Sequence, residues 1–208
     1  MIKVVLFDLD GVVRHFDERA VAEIEASHSL AAGSIAAFAF SEPHLTEVTT
    51  GRITRAEWVR RIGDHVESHV AARAWSTTPS YIDDEVVRLA TELRSLGLTT
   101  AILTNGTDTV LAELRALDFP PTFGRVFNSA EIGHAKPDPA AFHHVLDALE
   151  LSAGEMFFID DAPRNLAAAA DLGIVTHRFV DVPRLRAALV EARIVTKNSS
   201  FSSSCGED

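Results

Sequence analysis

The sequence has a single cysteine, no long apolar run and few basic residues for its length. Its only thiol, Cys205, cannot form a disulfide within the chain, as is typical of a reducing compartment. No stretch approaches the roughly 20 apolar residues of a membrane span. The apolar start reaches an acidic residue at Asp8, unlike a secretory signal peptide. We therefore expect a cytoplasmic protein without a membrane partner.

The shortage of basic residues bears on the partners. Lys and Arg number 19 against 30 Asp and Glu, which gives a formal net charge of −11. Proteins that bind nucleic acids or anionic membranes generally neutralise phosphates with Lys and Arg. The charge therefore argues against such polyanions, but it is compatible with one small anionic substrate held by a few local groups.

The pattern of short apolar runs indicates the fold. The 208 residues, of which 47% are hydrophobic and 24% charged, suit one domain, or one domain with an insertion. No internal repeat or sustained heptad is present. Strands of a parallel sheet are predicted at Ile2–Phe7, Leu98–Leu103, Arg125–Phe127, Met156–Ile159 and Ile174–Thr176.

Amphipathic patterns separate these runs from about residue 83 onward. Alternating strands and helices predict an α/β fold, a doubly wound parallel sheet with helices on both faces. The predicted helices are Asp83–Leu96, Asp108–Leu117, Pro139–Leu149, Arg164–Leu172 and Val182–Arg193.

The stretch from Phe16 to Ser80 shows no clear strand, and we interpret it as an all-helical insertion. Its helical patterns cover Ala20–Leu30, Ile35–Phe40 and Thr54–Val70, the last beginning with a capping box formed by Thr54 and Glu57. The predicted organisation is a core domain at 1–15 and 81–193, a helical cap domain at 16–80, and a Ser-rich disordered tail at 194–208.

Two carboxylates follow the first predicted strand. Side chains at i and i+2 of an extended segment point the same way, so Asp8 and Asp10 would crowd one site at the carboxyl end of the sheet. Crowded carboxylates need a cation, a shared proton or separation, and Mg²⁺ suits their oxygens. The alternative is a strand end followed by an Asx turn.

A second acidic pair, Asp160 and Asp161, ends another predicted strand just before a helix. The two pairs could surround one metal ion. Either residue of this second pair could instead cap the following helix through its backbone N–H groups.

Two further positions carry groups that suit a phosphate. The strand ending at Thr104 continues into Asn105 and Gly106, which offer a hydroxyl, an amide and flexible backbone donors, although the same residues also make an ordinary turn. Lys136 begins a loop stiffened by two prolines. Held rigidly there it would provide a fixed positive charge, whereas a lone Lys is usually a solvated surface residue.

These elements, in this order, resemble the four motifs of the haloacid dehalogenase (HAD) superfamily. The chain looks like its phosphatase branch, a Rossmann-type core with a helical cap inserted after the first motif, and is similar to the phosphatase domain of soluble epoxide hydrolases. The resemblance covers about residues 1–193, including a cap-helix signature at 51–58. The matching motifs are Asp8-Leu-Asp10-Gly-Val12, Thr104-Asn105, Lys136-Pro137 and Asp160-Asp161.

The resemblance implies hydrolysis of a small phosphorylated metabolite, a phosphomonoester, with Mg²⁺ as cofactor. Asp8 would form an aspartyl-phosphate, and Asp10 would protonate the leaving oxygen and then activate water. The metal ligands would be Asp8, the backbone carbonyl of Asp10, and Asp161.

The resemblance also implies roles for the surrounding residues. Thr104 and the groups of Asn105 and Gly106 would bind phosphate oxygens, and Lys136 would counter the charge of the phosphate and of Asp8. Asp160 would orient Lys136 or a metal-bound water. Asn165 stands where many relatives have a second acid.

Three other activities are weighed against a phosphatase. The superfamily's dehalogenases lack an acid two residues after the nucleophile, so Asp10 favours phosphoryl transfer over carbon–halogen cleavage. A sugar phosphomutase and a non-catalytic sensor of a phosphorylated metabolite are the alternatives. The sequence does not decide between a monomer and a homodimer.

The remaining candidates have simpler interpretations. We interpret Arg14 and His15 as a solvated hinge rather than substrate contacts. Trp58 and Trp75 are expected in the core of the insertion, where one could line a pocket. The residues expected to serve only in packing are Phe16, Phe38 and Phe40.

Overall fold

A computed structural model describes residues 1–195. Most of the predicted tail, 194–208, lies outside the described residues. Its first two residues, Ile194 and Val195, are described, and they pack against buried apolar residues of the core. Within the described range, no helix is long and apolar enough to cross a membrane.

A five-stranded sheet forms the centre of the molecule, and every pair of neighbouring strands is parallel. Its strands are β1 Val4–Phe7, β4 Thr99–Thr104, β5 Arg125–Asn128, β6 Met156–Asp160 and β7 Val175–Arg178. They lie in the order β5-β4-β1-β6-β7, which confirms the predicted α/β class.

Helices cover both faces of this sheet because its central strands are apolar on both sides. In β1, Val5 and Phe7 join one hydrophobic cluster while Leu6 joins the other. The helices around the sheet are α6 Asp84–Ser95, α7 Val110–Ala116, α9 Pro139–Ala148, α10 Pro163–Asp171 and α11 Val182–Glu191, with the short α8 at Ser129–Ile132. The first cluster includes residues of α6, α7 and α11, and the second includes residues of α9 and α10.

The helical insertion occupies residues 18–76 and has a hydrophobic cluster of its own, which includes Ile35, Trp58 and Ile62. An antiparallel ribbon of two short strands stands at its base, pairing His15 with Tyr81. The sequence analysis missed this ribbon. The elements are β2 Arg14–Phe16, α1 Glu18–Ser27, α2 Ser34–Ala39, α3 His44–Thr49, α4 Arg55–His65, α5 His69–Ser76 and β3 Ser80–Ile82.

The single helix predicted over 54–70 is wrong, because the chain turns within it. Helix α4 stops at His65, Glu67 takes a positive φ of 53°, and the Ser68 side chain caps α5 by accepting from Ala71 N. At the start of α4, Thr54 accepts from Glu57 N as predicted, but the Glu57 carboxylate binds arginines of the next turn.

Candidate active site

The register of the sheet brings the two acidic strand ends together. Phe7 of β1 pairs with Ile159 of β6, so Asp8 and Asp160 are the next residues of adjacent strands. The Asp8 backbone N–H continues the ladder by donating to the Ile159 carbonyl over 2.8 Å. The carboxyl ends of both strands therefore meet at one edge, as expected for ligand sites of parallel sheets.

Lys136 lies between these two carboxylates. Its Nζ is 2.7 Å from Asp8 Oδ1 and 2.7 Å from Asp160 Oδ2, with only 1% of the side chain exposed. Asn105 holds the lysine loop on both sides: its Oδ1 accepts from Lys136 N at 2.8 Å and its Nδ2 donates to the Lys136 carbonyl at 2.7 Å. The amide of Asn105 is thus already engaged in placing Lys136.

Asp160 is fully buried and its oxygens accept from several protein donors. Besides Lys136, Ala162 N donates to Oδ1 at 2.8 Å, and Asn165 Nδ2 lies 3.2 and 3.0 Å from the two oxygens. An acid in place of Asn165 could not donate these bonds, so the amide suits this position. Asp160 does not cap α10 through backbone N–H groups of its first turn, because its backbone donor, Ala162, precedes the helix and its contact with the first turn is the Asn165 side chain.

Three acids at this edge of the sheet form a set that fits a hard divalent cation. Carboxylate oxygens of Asp8, Asp160 and Asp161 lie within 4.8 Å of one another. Because Asp160 is occupied by protein donors, Asp8 and Asp161 are the pair best placed to bind an ion. Gly11, with a φ of 88°, lets Asp161 approach the loop after β1, since a Cβ there would stand 2.7 Å from Asp161 Oδ2.

The electrostatics of this cluster also favour a cation. Burial raises the pKa of Asp8 to about 7, with the charge of Lys136 opposing this shift and that of Asp160 adding to it. Burial and the neighbouring Asp160 also raise the pKa of Asp161. Burial thus disfavours the ionised form of both carboxyl groups, and a bound cation would favour it.

Asp10 lies beside this cluster with its carboxylate 40% exposed toward a cavity. Both of its oxygens accept from Arg14, over 2.5 Å from Nε and 2.9 Å from Nη2. Arg14 is 4% exposed, so its interpretation as a solvated hinge residue is wrong. The sequence did offer a signal for this ion pair, since Asp10 and Arg14 carry opposite charges and stand four residues apart across the turn at Gly11.

The third strand end, after β4, also reaches the cavity. Thr104 is buried at the end of the strand, and Asn105 and Gly106 line the cavity behind it. Sequence reasoning missed Asn128, whose Nδ2 donates to the Thr107 carbonyl at 2.9 Å. Its Oδ1 would lie 2.7 Å from a Cβ at position 106, so this loop conformation favours glycine.

A cavity of about 550 Å³ extends from Asp10 and the β4 loop into the helical insertion. Its far wall is largely aromatic, with the Trp58 and Trp75 rings 5.4 Å apart at their centroids and Phe40 5.9 Å from Trp75. Phe16 and Phe40 are 42% and 56% exposed and line it, so their interpretation as packing residues is wrong. The apolar lining comprises Phe16, Val21, Ala36, Phe40, Leu45, Val48, Trp58, Trp75 and Val110.

Comparisons with known proteins agree with this geometry. The bifunctional epoxide hydrolase 2 of Rattus norvegicus is 26% identical over 204 residues, which cover 84% of this chain. The chain spans only 36% of that protein's length. A sesquiterpene phosphatase of Aspergillus oryzae is 29% identical over 136 residues, covering 63% of this chain and 69% of the relative.

A solved structure shares the fold over almost its whole length. The wild-type HAD family enzyme of Bacteroides thetaiotaomicron, in complex with magnesium and inorganic phosphate, superimposes with a TM-score of 0.71 at 25% identity. The match covers 89% of this chain and 99% of the other. The family model for haloacid dehalogenase-like hydrolases matches residues 2–173. The chain therefore belongs to the haloacid dehalogenase-like hydrolase family.

Proposed function

We propose that this hydrolase is a Mg²⁺-dependent phosphatase that acts on phosphomonoesters with an apolar organic group. The observation that carries the proposal is the pairing of two features at one edge of the sheet. Buried Asp8 is held by Lys136 within a cluster of three acids that could bind a metal ion, and a cavity with an aromatic wall opens beside Asp10.

The residues present suffice for a two-step displacement. In the first step an oxygen of Asp8 attacks phosphorus, the bond from phosphorus to the leaving oxygen breaks, and Asp10 gives its proton to that oxygen. In the second step a water attacks the aspartyl-phosphate and passes a proton to Asp10. The bond from phosphorus to Asp8 then breaks, which releases inorganic phosphate and restores both carboxyl groups.

The same residues bind and neutralise the phosphate. Lys136 contributes a fixed positive charge beside Asp8, while Thr104 and the backbone N–H groups of the β4 loop donate to phosphate oxygens. Asp8, the Asp10 carbonyl and Asp161 would hold Mg²⁺, which supplies positive charge that screens the carboxylates from the phosphate. Asp160, with Asn165 behind it, keeps Lys136 oriented.

The helical insertion would act as a cap over this site. Its helices supply most of the apolar cavity lining, so a substrate would be enclosed between the insertion and the sheet. Such enclosure excludes bulk water from an aspartyl-phosphate and shapes the space for the leaving group.

The lining also favours one substrate class over the sugar-phosphate alternative. Sugar hydroxyls lose hydrogen bonds to water unless polar groups replace them. Polar residues such as Thr49, Ser76 and Thr78 also line this cavity, but most of the surface that it exposes is apolar. The name of the Aspergillus relative, a sesquiterpene phosphatase, describes a phosphatase of an apolar compound. A mutase acting on a sugar phosphate therefore has less support than a hydrolase.

Release of inorganic phosphate from octyl phosphate and from glucose 6-phosphate, each with MgCl₂ or with EDTA, tests the proposal. We expect hydrolysis with MgCl₂ only, and we expect kcat/KM for octyl phosphate to be at least about tenfold higher than kcat/KM for glucose 6-phosphate. An isomerised sugar phosphate would indicate a mutase. Binding of either ester without phosphate release would indicate a sensor. Either result would overturn the proposal.

Replacing Asp10 by Asn should impair turnover without removing the metal. The amide cannot transfer the proton, so kcat should fall by about 10²–10⁴. The affinity for Mg²⁺, measured by calorimetry, should hardly change, because the ligand proposed from this residue is its backbone carbonyl. Full activity in Asp10→Asn would refute the acid–base role.

Replacing Phe40 by Ser should weaken binding of apolar substrates with little effect on folding. The ring is 56% exposed in the free protein, so the fold depends little on it, whereas a bound hydrocarbon would cover it. We expect KM for octyl phosphate to rise about three- to tenfold. Tyr81→Ser, at a ring 60% exposed that does not line the cavity, is the control. Equal KM changes in the two variants would argue against this subsite.

A further inference from the structure

A chain of charged contacts joins Asp10 to the helical insertion. Arg14 binds Asp10 through Nε and Nη2 and uses its third nitrogen, Nη1, to bind Glu113 Oε2 at 2.9 Å. Asp10 and Glu113 both line the cavity, but they come from distant parts of the sequence. The guanidinium is thus shared between a residue of the proposed chemistry and a residue of α7.

Glu113 continues the contacts into the insertion. Its Oε1 accepts from the Arg55 guanidinium at 2.7 Å and from the Thr109 hydroxyl at 2.6 Å. Arg55, the first residue of α4, also donates its backbone N–H to Asp108 at 2.7 Å and a guanidinium N–H to the Ser76 carbonyl. Three successive ion pairs, Asp10–Arg14, Arg14–Glu113 and Glu113–Arg55, therefore join Asp10 to the insertion.

We propose that Arg14 is the positioning residue for Asp10, and that Glu113 and Arg55 tie this alignment to the seating of the helical insertion on the sheet. The inference rests on the proposed function, because it assigns Asp10 the transfer of a proton to the leaving oxygen. Arg14 would act through Asp10 and would not itself touch the reacting atoms.

The geometry favours positioning over a loose surface ion pair. A planar guanidinium that binds both oxygens restricts rotation of the ionised carboxylate, which a single contact would not do. When Asp10 carries its proton, one oxygen can still accept from the guanidinium while the other donates to the leaving oxygen. Arg14 is itself held in place, since it is 4% exposed and its guanidinium carbon lies 4.9 Å from the Phe16 ring centroid. Its three guanidinium nitrogens all donate to the carboxylates of Asp10 and Glu113. A small misalignment of a proton donor is enough to slow the reaction.

The dependence on the leaving group separates positioning from structural support or phosphate binding. Phenyl and cyclohexyl phosphates have apolar six-membered rings, but the cyclohexyl alkoxide is a much poorer leaving group and needs the proton more. Values of kcat/KM for both esters are measured in the wild type, Asp10→Asn, Arg14→Lys and Glu113→Gln. Thermal unfolding of each variant checks that it is folded.

The matched control is Arg186→Met, which removes another arginine that binds a carboxylate through two nitrogens, here that of Glu92, at a position that does not line the cavity. We expect Arg14→Lys to lower kcat/KM for cyclohexyl phosphate about tenfold more than for phenyl phosphate, in the same direction as Asp10→Asn. Glu113→Gln should also lower kcat/KM more for cyclohexyl phosphate than for phenyl phosphate, but by a smaller factor. The control should lower neither value selectively.

Two results would overturn the proposal. If folded Arg14→Lys lost kcat/KM equally for both esters, Arg14 would bind the phosphate or support the fold instead of aligning Asp10. If folded Glu113→Gln showed no larger loss of kcat/KM for cyclohexyl phosphate than for phenyl phosphate, the link to the insertion would be refuted. If Arg14→Lys does not fold, Glu113→Gln decides by itself. Failure of the wild type to hydrolyse either ester would instead refute the proposed phosphatase function.

Discussion

Asp8→Asn is expected to abolish phosphate release, with kcat lowered by about 10⁴–10⁶, the range seen when a nucleophile is removed. The amide is nearly isosteric and its oxygen can still accept from Leu9 N and Lys136, the two donors to Asp8 Oδ1. The variant should therefore fold, and the loss would report chemistry. Hydrolysis of p-nitrophenyl phosphate with MgCl₂ measures it.

A trapping experiment makes this result specific. Wild-type protein quenched in acid after mixing with a ³²P-labelled ester should carry label that hydroxylamine, a reagent for acyl phosphates, removes; Asp8→Asn should carry none. Asp181→Asn, which neutralises the acid that caps α11, is the control for loss of a charge and should turn over like the wild type. More than about 1% activity in Asp8→Asn would show that another group is the nucleophile.

Lys136→Met is expected to have the largest effect on stability together with a loss of activity. It removes the cation between Asp8 and Asp160, so the two carboxylates face each other in a buried site. Removing one partner of a buried charge pair typically lowers the free energy of unfolding by about 3–5 kcal/mol. Because the charge beside the phosphate is also lost, kcat/KM should fall by about 10²–10³. Urea denaturation and phosphate release measure the two effects.

Two further variants make the stability result interpretable. Lys3→Met removes an ion pair with Glu155 whose lysine is 62% exposed, so it should leave unfolding nearly unchanged. The double variant Lys136→Met with Asp160→Asn should recover part of the lost stability, because it takes away one of the uncompensated carboxylates. If Lys136→Met were as stable as Lys3→Met, the buried pair would not stabilise the fold.

The sheet and its acidic strand ends could be predicted because they follow from local patterns. A run such as Val4–Phe7 has no polar position, so it belongs at the centre of a parallel sheet, and the residue after it must emerge at the carboxyl edge. The same argument applied to β6 predicted that Asp160 and Asp161 emerge at that edge, where the two acidic pairs could surround one metal ion. In each case a few consecutive residues carried the information.

The contacts around Arg14 could not be predicted in this way. Its partner Glu113 lies 99 positions away, and only the packing of α7 against the loop after β1 brings them together. The exposure of Phe16 and Phe40 likewise depends on how the insertion sits over the sheet, since a large apolar side chain is more often buried than exposed. The break at Glu67 was missed for a different reason. The apolar periodicity continues across a single residue of positive φ, so the sequence pattern does not reveal where α4 ends.

The acidic cluster and the apolar cavity wall are encoded in different stretches of the chain. The carboxylates and Lys136 follow strands or loops of the sheet, whereas Val21, Leu45, Val48 and Trp75 belong to the insertion. Mutations that alter the cavity can therefore accumulate without touching the residues at the sheet edge. A library confined to residues 18–78 that keeps Arg55 would sample new substrate preferences on an unchanged reaction centre, which makes this protein a suitable scaffold for directed evolution.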